Sequence, residues 1–147
     1  MAKILQSATG ATIVIASNDH CPPHVHAWHR SEGWIVRLAF SFATNTASVL
    51  SIAPTSNAVR QRQLNEMLDE ISAHTPQCRA AWWSAMATTC LENKWAIATS
   101  GRDLQWLEER QPAAQQVLTA TYRPLENRTI VIFKDGSKMI LTDGAAA

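Results

Sequence analysis

Four of the chain's five histidines fall within ten residues: His20, His24, His26 and His29. They lie in and just after the run Asn18-Asp19-His20-Cys21-Pro22-Pro23-His24-Val25-His26. In an extended chain His24 and His26 project from one face, because side chains alternate along a strand. Two imidazoles then share one spot. The Pro22-Pro23 pair stiffens the approach, so Asp19 or His20 can be held beside them at reduced entropic cost. Three roles suit such a set. Asp19, His20, His24 and His26 offer a first shell for zinc or another divalent transition metal. Without metal, His24 and His26 can work as a catalytic acid–base pair of the kind that cleaves RNA or other phosphodiesters. Arg30 and Arg37 are then at hand to hold a phosphate. In the third role the same side chains only fasten a tight turn through backbone hydrogen bonds. Spacing alone does not choose among the three.

The segment must be positioned by its flanks. Residues 11–17 form a β-branched run of strand length, and the two prolines stop it. His24–Trp28 reads as a second strand. Ser31-Glu32-Gly33 is a turn, with Trp28 and Trp34 placed to pair across it. Trp34–Phe42 alternates as a third strand, and 47–53 makes a fourth. The period then changes. Leu64, Met67, Leu68 and Ile71 recur at helical spacing, behind a cap at Thr55, Ser56 or Asn57 and ahead of a stop at Pro76. A second helix is expected over about 79–92. Of the adjacent Trp82 and Trp83 on it, one belongs in the core, and Trp83 is the candidate for a partner or self-association surface. Residues 93–99 fit either a strand or the end of that helix, 100–102 a break, and 103–110 a short helix capped by Asp103. Strand chemistry returns at 117–123, 128–133 and 138–142. Asp135-Gly136 between the last two predicts a type I′ hairpin turn, which needs positive φ at both central residues. Residues 144–147 are expected to fray.

Composition narrows the classes. The chain has 147 residues, 46% of them hydrophobic and only 17% charged, which excludes disorder as its main state. A net charge of +1 provides no global field for nucleic acid or anionic lipid, although a local nucleic-acid contact stays open. There is no apolar run of transmembrane length and no signal-peptide pattern at the N-terminus. Cys21, Cys78 and Cys90 are odd in number and scattered, so reduced thiols in a cytoplasmic protein are expected. Cys78 and Cys90 then act as small apolar residues.

Asp19-His20-x-Pro22-Pro23-His24-x-His26, following Thr12-Ile13-Val14-Ile15, resembles the signature of a small bacterial domain of unknown function, the family numbered 4160. The resemblance covers roughly the first 85 residues. The tail, Val117–Asp143, with Phe133-x-Asp135-Gly136 in a hairpin, is similar to the domain of unknown function numbered 2442. Genes of these families are often neighbours, and the pair is suspected to act as toxin and antitoxin. The resemblance implies a bacterial accessory protein of toxin–antitoxin or mobile-element type. It carries over no catalytic residue.

The sequence therefore predicts an α+β protein. A small antiparallel sheet packs on two helices, and a C-terminal β-hairpin region extends that sheet or forms a second one. Residues 1–92 carry the histidine motif, 93–115 connect, and 116–147 hold the hairpin, with one compact domain as the alternative. Work through a protein or nucleic-acid partner is the first functional expectation. A small metal- or histidine-dependent hydrolase, such as a ribonuclease, is the alternative, so the residues leave open whether the protein is an enzyme.

Overall fold

The computed structural model describes residues 1–98, 104–142 and 145–146. Its first half is an antiparallel meander of β1 (Ala2–Gln6), β2 (Thr12–Ile15), β3 (His24–His29), β4 (Trp34–Ala39) and β5 (Ser48–Ala53), paired in chain order. Sequence alternation places Ile13, Ile15, Val25, Ala27, Val36 and Leu38 on the inner face, and all are buried. β1 was not anticipated: Ala2–Gln6 is too mixed to announce a strand, and its pairing with β2 orders it.

Two helices follow, α1 (Gln61–Ala73) and α2 (Thr75–Met86). The predicted stripe of α1 is on the core side, with Leu64, Met67 and Ile71 buried. Its start differs from expectation. The cap is Arg60 rather than Thr55, Ser56 or Asn57, and the Gln63 side chain accepts the Arg60 N–H at 3.1 Å. Pro76 also plays a different part. It lies in the first turn of α2, where its missing N–H costs nothing. α2 consequently begins before residue 79 and ends at Ala87, which is left-handed at φ 54°.

The second half is a separate sheet of six strands. β6 (Trp95–Ala98), β7 (Leu104–Leu107), β8 (Gln115–Arg123), β9 (Arg128–Phe133), β10 (Lys138–Thr142) and β11 (Ala145–Ala146) lie in the order β11-β10-β9-β8-β6-β7. The α+β class stands, and the tail forms its own sheet rather than extending the first. The short helix expected over 103–110 is instead the strand β7, whose register with β6 runs from Trp95 opposite Leu107 to Ala98 opposite Leu104. Cross-strand pairing has overridden a weak local helical preference. The expected break at 100–102 and cap at Asp103 lie outside the described residues, as do Thr99, Gly144 and Ala147. Ala145 and Ala146, expected to fray, pair with Thr142 and Leu141. At the β9–β10 turn only Gly136 has positive φ, at 90°. Its N–H meets the Phe133 carbonyl, and the Phe133 N–H meets Ser137. That is a turn closed by a left-handed glycine bulge, not type I′, because Asp135 keeps negative φ.

The buried residues of both sheets and α2 belong to one core cluster. Phe42 meets the Tyr122 ring at 5.0 Å, and Thr129 Oγ1 donates to the Phe42 carbonyl. Arg79 of α2 is buried. Its guanidinium donates to the carbonyls of Ser41 and Thr44 and to Asn127 Oδ1, which links the loop after β4 to the β8–β9 turn. Among the described residues no helix is long and apolar enough to cross a membrane.

Candidate metal centre

β2 stops at Ile15, and the chain loops through Asp19 before the prolines set it into β3. Asp19 Oδ1 accepts the His20 amide at 3.0 Å, which fixes the carboxylate over the strand that follows. Its other oxygen, Oδ2, lies 2.8 Å from His24 Nε2 and 2.9 Å from His26 Nε2. The two imidazoles are on one face of β3 with ring centroids 5.1 Å apart. One donor atom each from Asp19, His24 and His26 falls within 4.8 Å of the others, the one such three-residue group among the described residues.

The two histidines are held differently. His26 is 27% exposed, and its Nε2 hydrogen-bonds Asp19. His24 is 1% exposed. Its Nδ1 is 2.8 Å from the Pro22 carbonyl, which can only accept. The Nδ1 proton is thereby assigned, and in the neutral ring Nε2 carries a lone pair. That nitrogen lies 2.8 Å from the Asp19 oxygen, and it is buried with no hydrogen-bond partner. A short separation without the near-linear N–H···O direction makes no hydrogen bond.

Asp19 is pulled between opposing effects. Burial pushes its carboxyl up, but the His26 hydrogen bond, the His20 amide and the electrostatic pull of the two neighbouring histidines outweigh that and hold it below its ordinary value. The carboxylate is therefore anionic at neutral pH. Two imidazole nitrogens and one anionic oxygen, within 4.8 Å of one another, could hold zinc or another divalent transition metal. The Pro22 carbonyl supplies the partner that orients a ligating histidine through its other nitrogen.

The other predicted residues divide. His20 stands outside the triplet, its side chain 79% exposed and its Nδ1 3.4 Å from Asp19 Oδ1. His29 faces the core. Its Nε2 meets the Thr9 carbonyl at 3.1 Å and its Nδ1 accepts the Glu32 amide. Arg37 is the β4 register partner of His26 and donates from Nε to Ser51 Oγ at 2.8 Å. Arg30 stacks over Trp28, 5.6 Å from the ring centre. Trp28 and Trp34 do not pair across the turn. Trp34 is opposite His29 and buried, whereas Trp28 is opposite Ile35 on the outer face. Trp83 is partly buried against the core. It is Trp82, fully buried, that backs the His24 ring at 5.6 Å between centroids.

Cys21, between Asp19 and His24, forms a disulfide with Cys90, 69 residues away. The expectation of three reduced cysteines fails at these two positions, because folding brings the segment after α2 to the histidine loop. Nothing in the spacing announced that pairing. Cys78 behaves as expected: it is free and buried, and burial pushes its thiol up to about 12. Comparison with known proteins gives no family-model match, no matching curated protein and no matching solved structure.

Proposed function

We propose that Asp19, His24 and His26 hold a divalent transition-metal ion, zinc by the character of the donors, and that the protein is a small metal-dependent hydrolase. The observation that carries this reading is the buried His24 Nε2, without a hydrogen-bond partner and 2.8 Å from the carboxylate oxygen that His26 also contacts. A buried nitrogen left without a donor is costly, and a cation at that point satisfies all three groups together. The partial exposure of His26 leaves a route for substrate and water. In this reading the ion supplies Lewis acidity, His24 and Asp19 fix it, and His26 is both ligand and wall of the entrance.

The test is zinc titration of tag-free protein by calorimetry, with metal analysis after dialysis. One equivalent is expected for the native chain and none for His24→Ala. A panel of phosphodiester, ester and amide substrates, with RNA included, then assays the zinc-loaded protein. Native protein that takes up no zinc ends the metal reading. Zinc binding without turnover of any substrate in the panel ends the hydrolase reading alone.

A second reading follows the family resemblance. It makes the protein an accessory factor of toxin–antitoxin or mobile-element type, acting through a protein or nucleic-acid partner. The exposed Trp28 with Arg30 stacked on it favours this, since an aromatic–arginine pair can stack a nucleobase. Binding of a labelled single-stranded RNA that weakens in Trp28→Ala supports it, and unchanged anisotropy in the native chain counts against it.

A further inference from the structure

The loop that brings Asp19 to the histidines is fastened to the rest of the protein at one place. Among the described residues, no hydrogen bond or ion pair joins residues 17–22 to anything outside the loop itself and β3. The covalent link from Cys21 to Cys90 is the exception. Its two ends are held differently. Cys21 is exposed, in a loop without strand pairing. Cys90 is 8% exposed, and its neighbours Thr89 and Leu91 are buried. The Cys90 amide donates to Thr88 Oγ1 at 3.1 Å, and the Asn93 amide donates to the Val117 carbonyl of β8 at 3.0 Å. The disulfide thus ties a loosely held loop to a firmly held segment.

Cys21 is placed where that tie acts on the candidate site. Asp19 is two residues before it and Pro22 one after. Asp19 supplies the carboxylate close to both imidazoles, and the Pro22 carbonyl holds His24 Nδ1 at 2.8 Å. His24 and His26 have other supports. β3 pairs them with Ala39 and Arg37 of β4, and the Phe40 amide donates to the Pro23 carbonyl just before the strand. Opening the disulfide therefore leaves the two imidazoles on their strand and frees the carboxylate and the carbonyl that complete and orient the site. Loss of an orienting partner costs a metal site about ten- to hundredfold in affinity.

We propose that the Cys21–Cys90 disulfide is a thiol-exchange site that controls the metal centre: closed, it presents Asp19 to the ion, and opened by a dithiol reductant, it releases Asp19 and the ion is held weakly. This rests on the metal reading and names the regulation of that site. In the exchange a thiolate of the dithiol bonds to the sulfur of Cys21, the exposed partner. The S–S bond breaks and its electron pair leaves on Cys90. The second thiolate of the dithiol then displaces Cys21 from the mixed disulfide. The dithiol ends as a disulfide, oxidised by two electrons, and its two protons end on Cys21 and Cys90.

The experiment measures zinc affinity on the tag-free full chain in three forms: oxidised, reduced with a phosphine, and as the Cys21→Ser, Cys90→Ser double variant. A phosphine is used because a dithiol would itself compete for zinc. Circular dichroism in the cold checks that each form is folded. The oxidised chain is expected to bind one zinc, and the other two forms to bind it about ten- to hundredfold more weakly. Without metal, NMR order parameters of residues 17–22 should fall in the double variant while those of β3 hold. Order parameters that stay level across the loop overturn the clamp. So does equal zinc affinity in the oxidised chain and the folded double variant, and the metal site then still stands. Tighter binding by the reduced chain than by the oxidised one also overturns it, since the freed thiol is then a ligand itself. An unfolded double variant does so too, because the disulfide then secures the whole fold rather than the site. Zinc uptake by none of the three forms ends the metal reading and this proposal with it.

Discussion

His24 Nε2 and Asp19 Oδ2 are 2.8 Å apart, and yet that nitrogen has no hydrogen-bond partner. The Pro22 carbonyl holds the ring's other nitrogen, so the imidazole cannot turn to satisfy both ends. An ion that binds there stabilises the folded chain over the unfolded one, which has no assembled site. Zinc in about hundredfold excess over its dissociation constant should add about 2.7 kcal/mol to stability. A thermal scan with and without zinc measures this. Asp19→Asn, which removes the anionic ligand and keeps the shape, should reduce the zinc-dependent increase in Tm. An equal increase in both proteins would mean that zinc binds elsewhere.

The Cys21–Cys90 disulfide joins the loop that carries Asp19 to the segment leaving α2. Closing a loop of 69 residues restricts the unfolded chain, an effect of about 4 kcal/mol in the chain-entropy model. Denaturant unfolding with and without a dithiol reductant should show a loss of that order, with the midpoint moved and the oxidised form more resistant. The Cys21→Ser, Cys90→Ser double variant should match the reduced native chain. If reductant leaves the midpoint in place, the two thiols are not joined in solution.

Much of the first sheet was legible because its alternation is regular: Trp34, Val36 and Leu38 point inward as the pattern requires. The shared face of His24 and His26 followed from the same two-residue period. What escaped has identifiable causes. Asp19 and His20 were both candidates, and which of them joins the histidine pair depends on a loop conformation that no periodicity encodes. His29 resembles its neighbours in sequence but falls on the opposite face by parity, and Thr9 and Glu32 occupy both its nitrogens. The strand β7 was hidden because Leu104–Leu107 has no alternation long enough to compete with a helical reading, and its partner β6 decides the matter. The disulfide joins residues 69 apart, a separation at which only the folded topology carries information.

Gly10 shows how closely the His29 side of the sheet is fitted. Its φ is +95°, and a Cβ built on it comes 2.8 Å from His29 Nε2. Two penalties therefore coincide, left-handed backbone for a side-chain-bearing residue and contact with a ring that is itself bonded to the Thr9 carbonyl. Gly10→Ala should lose about 1–3 kcal/mol, read as a lower denaturant midpoint. Gly33, also at positive φ but with nothing near its absent Cβ, should lose less on the same substitution. Equal losses at the two positions would show that backbone conformation alone sets the cost and that His29 yields freely.

The β9–β10 turn should respond to acid through Asp135. The Ser137 hydroxyl and amide both donate to its carboxylate, at 2.6 and 2.8 Å, and the carboxyl is held below its ordinary value of 3.8 by those bonds, the Ser137 side chain first. A carboxylate whose folded pKa is depressed stabilises the fold fully above the unfolded value, and the contribution disappears as pH falls through the folded one. The turn should thus be indifferent to pH above about 5 and loosen below about 4. Amide hydrogen–deuterium exchange at Ser137 or its NMR shift across pH 6 to 2 follows the change. Asp135→Asn accepts the same bonds without a charge, so its Ser137 signal should stay flat over that window. A native signal equally flat would mean that the carboxylate does not hold the turn, and that the left-handed Gly136 closes it unaided.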